Sequence, residues 1–467
     1  MIVGQSTDRT LVHFSLALTL QRLFIPEQPR MKRASFFFLL IATSVAMLLT
    51  AAAPSAHAEK RKRKKADTEL EANAGKPKKS SRKSRTAAAH ALANSENRDG
   101  QAEARLIDIY KLIGQAKTRE AMPLAESLVR EHPNFQLAQL VYGDLLTAQL
   151  RPVRNLGDVP DTTARAAAPQ LQELRRESLL RLQALRERPA AGLIPPQFIA
   201  LSSQNKHAIA VDAGKSRLYL FENSPTGLKL LADYYISVGK SGTEKAAEGD
   251  LRTPLGVYFI TSNLDRKSLK DFYGSGALPI NYPNQLDVKR GKTGSGIWLH
   301  GTPSAQFSRA PLATDGCVVL ANPDLERIIK TVQVRTTPVV IAQSLKWVAP
   351  MTTVAEGKSF EEALNGWSSA KSSGDMARLM GWYSSDFSSY GKKLSDYTPL
   401  VQAEVKQLGG RSLQLKDVSY LRWTDSNDTM VVTFGELIKG ARSGQTKRQY
   451  WTRQAGQWKI FFEGSVG

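Results

Sequence analysis

The sequence predicts a multidomain α+β protein: an N-terminal α-helical segment, a mostly β central domain and a C-terminal α+β cone. Three observations carry this. The length of 467 residues exceeds what a single hydrophobic core organises. Apolar residues repeat with a helical period before Pro195-Pro196 and with a period of two after it. From about Ser359 a helix pair precedes four strand-like runs.

Two segments precede the predicted folded region. Met31 to Ala58 reads as a secretory signal peptide. Lys32 and Arg33 form its charged start, Phe36 to Leu49 its apolar stretch, and Ala56-His57-Ala58 a small-x-small cleavage site. Residues 1–30 lack such a pattern and read as a misassigned upstream start. The alternative is an uncleaved anchor, since the apolar run from Ala34 to Ala53 is about the length that spans a bilayer. Residues 59–98 are a low-complexity Lys/Arg/Ala/Ser linker and read as disordered. They carry much of the formal charge of +21. No aromatic residue interleaves the basic run, as a single-strand binder requires, and export argues against nucleic acid as a partner. A basic tail in the periplasm or cell envelope instead faces anionic lipid, acidic envelope polymer or nothing but solvent.

The helical segment spans 99–195. Leu106, Ile109, Tyr110 and Ile113 share one helix face. Ala121, Leu124, Ala125 and Leu128 mark a second helix, and Leu137, Leu140, Val141, Leu145 and Leu146 a third. Alanines at the crossing points resemble tetratricopeptide-type hairpins, which serve as surfaces for protein partners. A fourth helix, from about Gln170 to Arg188, presents Leu171, Leu174, Leu182 and Leu185 as a buried stripe. The central domain spans 200–346. His207–Asp212 and Arg217–Phe221 flank a hairpin turn, and further strands fall at Leu231–Val238, Val257–Ile260, Ile297–His300, Val318–Leu320 and Pro338–Ile341. Asn322-Pro323-Asp324 reads as a capped helix start. The last domain spans 357–467. Ser359 with Glu362 reads as a capping box, and the apolar face of its helix is Phe360, Ala363, Leu364 and Trp367.

One cysteine occurs in the chain, Cys317, and only six histidines, of which His300 stands close to it in sequence. A lone cysteine is most often an inert small hydrophobe. In an oxidising compartment with no second cysteine to pair, a free thiol is more useful as a nucleophile. Thiolate and imidazole together are the minimum parts of an acyl-transfer site. One cysteine and scattered histidines provide no metal-ligand set, so neither metal nor other cofactor is expected.

The motifs around these residues have an order. Gly249-Asp250-Leu251-Arg252-Thr253-Pro254-Leu255-Gly256 comes first, then Tyr282-Pro283-Asn284, then Gly294 to Thr302 ending in His300-Gly301-Thr302, then Thr314-Asp315-Gly316-Cys317. Together they resemble the YkuD-type L,D-transpeptidase catalytic domain, in its YafK-like branch. The helix pair and curved sheet at the C-terminus resemble the nuclear-transport-factor-2-like (NTF2-like) cone, a module that binds as often as it catalyses. No His/Asp pair is seen in it, so it is read as non-catalytic.

The first resemblance implies attack on the third residue of a peptidoglycan stem tetrapeptide, with expulsion of the terminal D-alanine. Cys317 is then the nucleophile that forms a thioester, and His300 its base and later its acid. Gly316 and Gly301 let backbone approach closely, with the Gly316 and Cys317 N–H groups as oxyanion donors. Thr314 takes the place of the family serine, and Thr314 and Asp315 border the substrate. Tyr282 and Asn284 either contact the stem peptide or make a turn. Thr302 either orients His300 or caps a turn. The family's arginine two residues after the cysteine is Val319 here, which leaves Arg309 or Arg335 as substitute cations, or as ordinary surface charge. Three functions follow: transfer that forms or remodels crosslinks in cell-wall biogenesis, hydrolysis of the same acyl-enzyme to trim stems or release wall-bound protein, and a non-enzymatic envelope scaffold.

Overall fold

The computed structural model of the protein describes residues 100–466. The expected upstream start, signal peptide and basic linker all lie outside the described residues.

Helices α1 (Gln101–Gly114), α2 (Thr118–Glu131) and α3 (Gln136–Thr147) stack as successive hairpins. Their core is Leu106, Ile109, Ala121, Ala125, Leu128, Leu137 and Val141, joined by Phe307 and Ala321 from the central domain. Leu124 and Leu146, expected inside, are 44% exposed. A short α4 (Asp161–Ala166) leads into α5 (Ala168–Arg186). The expected leucine stripe on α5 is only partly right. Leu171 is buried, but the rest of its buried face is Glu177, Ser178, Arg181 and Ala184, with Leu182 and Leu185 half-buried. The reason is an ion-pair cluster. Arg181 binds Glu177 (2.6 Å) and Glu103 of α1 (2.8 Å), and Glu103 also binds Arg217 of the central domain (2.8 Å). Burial works to raise the Glu103 pKa, but Arg217 and Arg181 outweigh it and hold the carboxyl at about 2. Charges out of water are tolerated here because each faces a partner.

The central domain is a curled sheet. After an N-terminal strand β1 (Phe198–Ala200), its strands in chain order are β2 (His207–Asp212), β3 (Arg217–Ser224), β4 (Gly227–Gly239), β5 (Gly256–Phe259), β6 (Leu264–Asp265), β7 (Gly276–Pro279), β8 (Trp298–His300), β9 (Leu312–Thr314), β10 (Val318–Leu320) and β11 (Pro338–Ala342). β2 and β3 form the expected hairpin, with Ala210 opposite Tyr219. The sheet runs β5-β11-β2-β3-β4-β10-β8-β7-β6, with β9 against β4. Its core holds Ile209, Leu218, Tyr234, Leu299, Val318 and Leu320. Short helices α6 (Gln285–Lys289) and α7 (Asn322–Thr331) cross between strands. The first strand, β1, does not belong to this sheet: it pairs with the C-terminal one.

The C-terminal domain begins with α8 (Pro350–Ser373), seven residues before the expected domain start at 357. Pro350 occupies the first turn, where its missing N–H costs nothing. Ser359 therefore lies inside the helix, and no capping box forms there. Gly374 ends α8 with φ +77°, and Asp375 caps α9 (Met376–Met380) by accepting from the Arg378 N–H. A small hairpin, β12 (Ser388–Ser389) and β13 (Lys392–Lys393), precedes α10 (Leu394–Leu408), a helix the sequence reading did not include. Strands β14 (Leu413–Thr424), β15 (Asp428–Ile438), β16 (Gln445–Gln454) and β17 (Gln457–Ser465) form the expected antiparallel meander. Phe360, Trp367, Val432 and Trp451 fill the cone between α8 and the sheet.

Candidate active site

The register of two short strands places the chemistry. β8 and β10 are parallel neighbours, with Val318 beside Leu299 and Val319 beside His300. Leu299, Val318 and Leu320 point into the core. Side chains alternate along a strand, so His300 lies on the other face, together with Cys317 just before β10. Strand pairing thus puts a thiol and an imidazole on one face of adjacent strands.

His300 is buried, 1% exposed. Its Nδ1 lies 2.8 Å from the Gly301 carbonyl oxygen, which fixes Nδ1 as the protonated nitrogen and leaves Nε2 with a lone pair. Tyr273 (5.1 Å between ring centroids) and Phe272 (5.7 Å) wall the ring. Burial lowers the imidazole pKa to about 4, Arg309 adds to the effect, and the Gly301 carbonyl opposes it. Cys317 is half-buried, and its thiol donates to the Gly296 carbonyl at 3.5 Å. Burial pushes this thiol up, the backbone of Trp298 pulls it down, Asp315 pushes with burial, and Arg309 and Lys245 oppose it. Near neutral pH the resting pair is a neutral thiol and a neutral imidazole, which is a base ready to accept the thiol proton when substrate arrives.

The loop before Cys317 is tied down by its own polar groups. Thr314 Oγ1 donates to the Cys317 carbonyl (2.7 Å) and accepts from the Gly316 N–H (3.1 Å). The Gly316 N–H is therefore engaged within the loop, and the expected use of it as an oxyanion donor does not match this geometry. Gly316 has φ +124°, and a Cβ there would meet the Arg252 carbonyl at 2.6 Å, so glycine is required. Thr253, in the motif that begins at Gly249, donates to the Gly316 carbonyl (2.9 Å). Asp250 fixes its own loop by accepting from Lys245 and from the Ala246, Ala247 and Arg252 N–H groups.

On the histidine side the organiser is Asn322. Its Oδ1 accepts from the N–H groups of Ser275 (2.9 Å) and Thr302 (3.2 Å), and its Nδ2 donates to the Thr302 carbonyl (2.9 Å). The expected helix cap at Asn322 is thus a clamp on the loop after His300. A Cβ on Gly301 would come within 2.0 Å of the same Oδ1. Thr302 is buried and donates to the Gln306 carbonyl (2.8 Å), so it makes a turn. Tyr282 donates to the Thr293 carbonyl (3.0 Å), and Asn284 caps α6 by accepting from the Asp287 N–H (2.9 Å). Both are buried, and the turn reading fits them. Asp315 is exposed and pairs with Lys240 (2.9 Å). Arg335 has φ +72° beside Thr336, with its N–H on the Ile260 carbonyl.

Arg309 does come to the site. Its guanidinium carbon sits 4.6 Å over the Phe272 ring, and its Nε is buried without a hydrogen-bond partner. The segment that carries it is braced by the helical domain. Phe307 stacks on Phe135 (4.2 Å), the Asn134 amide donates to the Ser304 carbonyl (3.0 Å), and Ser308 donates to Glu177 (2.9 Å). Phe272, Tyr273 and Asn322 were not read as site residues from the sequence. Only Asn322 had a local signal, and Asn-Pro points first to a helix start. Among the described residues no cluster of His, Cys, Asp and Glu could hold a metal.

Residues 206–341 match the YkuD family, described as an L,D-transpeptidase catalytic domain, and residues 359–464 match the Cds6 C-terminal NTF2-like domain. The chain carries a YkuD-type L,D-transpeptidase catalytic domain followed by an NTF2-like domain. Among solved structures it is similar to Bd1075 of Bdellovibrio bacteriovorus, with 21% identity over 59% of this chain and 98% of that one, at a TM-score of 0.50. It is also similar to the helical cell shape determining protein Pgp2 of Campylobacter jejuni, with 21% identity over 62% and 99%, at a TM-score of 0.46. No curated relative matches the chain. The L,D-transpeptidase family assignment makes peptidoglycan the expected substrate material.

Proposed function

We propose that the protein is an exported cysteine L,D-transpeptidase that works on peptidoglycan stem tetrapeptides in the periplasm and forms or remodels crosslinks. The observation that carries this is the placement of Cys317 and His300 on one face of two paired strands within an L,D-transpeptidase-family domain.

His300 Nε2 takes the thiol proton as Cys317 Sγ attacks the carbonyl of the third stem residue. The tetrahedral intermediate collapses to a thioester as the same proton passes to the departing D-alanine amine. An acceptor amine then attacks the thioester, loses its proton to His300 and regenerates the thiol. Burial among Phe272 and Tyr273 keeps the resting imidazole neutral, with the Nε2 lone pair free to accept the thiol proton. The helical hairpins and the cone are docking modules for partners in this reading.

The test is product analysis. Purified disaccharide tetrapeptide is incubated with the protein and with Cys317→Ala. Crosslinked dimers that need Cys317 support transfer. Tripeptides alone assign the same acyl-enzyme to hydrolysis. Products that are unchanged in Cys317→Ala sink both.

A further inference from the structure

Arg309 acts electrostatically on Cys317 and His300 but has no carboxylate partner among the described residues. Lys240 and Lys245, the nearby lysines, are satisfied by Asp315 and by Asp250. Arg309 makes no ion pair with any described residue, and its buried Nε points at no acceptor. A buried, unmatched donor on a charged group is costly, so such a group persists where a ligand completes it. The protein also holds it firmly. Phe272 lies beneath the guanidinium at 4.6 Å, the Tyr235 hydroxyl donates to the Arg309 carbonyl (2.9 Å), and the neighbouring Ser308 and Phe307 are pinned to the helical domain. A planar guanidinium on an aromatic face presents its edge, which is the geometry for two-point binding of a carboxylate.

The neighbours of His300 say which carboxylate. The leaving amine must face His300, its proton donor. Phe272 lies next to both His300 (5.7 Å) and Arg309 (4.6 Å). In a stem tetrapeptide only one residue follows the scissile carbonyl, roughly 3.5 Å of chain. Its carboxylate therefore passes His300 towards Phe272 and Arg309. The position that holds an arginine elsewhere in the family, Val319, is 2% exposed and lies beside His300 on the neighbouring strand.

We propose that Arg309, seated on Phe272, is the specificity-determining residue of the site and receives the terminal carboxylate of the donor peptide. The protein then selects donors that end in a free acid one residue beyond the bond it breaks. The inference rests on the reading given under Proposed function.

The test uses the full chain and two synthetic stem tetrapeptides, one ending in D-alanine and the other in its amide. Binding is measured by calorimetry to Cys317→Ala and to Cys317→Ala/Arg309→Gln, and turnover to wild type and Arg309→Gln. The expected result is a preference for the acid of roughly 10–100-fold in the Arg309 background, the range of a charge-assisted pair, and its collapse to within about threefold in both Arg309→Gln proteins. In turnover the loss falls on KM rather than kcat, and Arg309→Lys restores part of it because lysine keeps the charge without the fork. Equal binding of acid and amide with Arg309 present, or a preference that survives Arg309→Gln, overturns the proposal. Absence of turnover in wild type sinks the transpeptidase reading, while the binding ratio still decides the role of Arg309.

Discussion

The catalytic pocket and the interior of the C-terminal cone both bury titratable groups, and they treat them in opposite ways. In the cone, Lys447 contacts Glu404 (2.7 Å) and Glu463 (3.2 Å), while Lys371 contacts Glu404 (2.6 Å) and Glu436 (2.8 Å). The Tyr383 hydroxyl and the Gln449 amide complete Glu463. Burial works against the Glu463 charge, but Lys447 and Lys371 prevail and hold the carboxyl at about 2. In the catalytic pocket burial prevails instead. His300 is pushed down to about 4, the Cys317 thiol is pushed up, and Arg309 Nε has no partner. Charges matched by the protein itself hold a fold together. The difference sets the groups around His300 and Cys317 apart from the ion-paired carboxylates of the cone.

The largest effect that sharpens this contrast is at His300. His300→Gln should slow acylation by donor peptide by roughly 10²–10⁴-fold, the usual contribution of a positioned base. It should also alter the pH dependence of stability. The unfolded chain protonates this histidine near its ordinary value of 6.5, the folded chain only near 4. The unfolded state therefore binds more protons between these values, and stability rises with pH across that window. Tm measured at pH 4.5 and pH 7 should differ less in His300→Gln than in wild type. An equal difference would mean that His300 is not buried as a neutral base.

The cone should respond in stability alone. Lys447→Met leaves Glu404, Glu436 and Glu463 short of a cation and should cost about 3–5 kcal/mol, the range for breaking a buried pair. Iodoacetamide alkylation of Cys317 in the folded protein should stay within about twofold of wild type. A large change in alkylation would break the separation between the two regions.

Much of this was legible in the sequence because it is local. The order of the motifs from Gly249 to Cys317 located the catalytic domain, and its sequence pattern found seven of the ten strands of its sheet, missing the short β6, β7 and β9. The cysteine and histidine were marked by their rarity. What could not be read was long-range or polar. Glu103 meets Arg217 across 114 residues, so the buried face of α5 looked apolar when half of it is an ion-pair cluster. Phe272 meets Arg309 only because the chain folds back between β6 and β7. Asn322 and Ser359 show the limit of local rules: each fits a capping pattern, but tertiary packing uses the first as a clamp and leaves the second inside a helix that starts at Pro350.

The smallest predicted effect separates scaffold from substrate contact. Tyr282→Phe removes one hydrogen bond to the Thr293 carbonyl and should cost about 1 kcal/mol of stability. KM for the tetrapeptide should be unchanged. A rise in KM without loss of stability would return Tyr282 to the substrate.

The most direct measurement is the intact mass of the full protein after a short exposure to disaccharide tetrapeptide, followed by mapping of the adduct. The account predicts an added stem tripeptide with its disaccharide, D-alanine released in equal amount, and the modification on Cys317. An unmodified thiol alongside released product, or an adduct at any other residue, would contradict it.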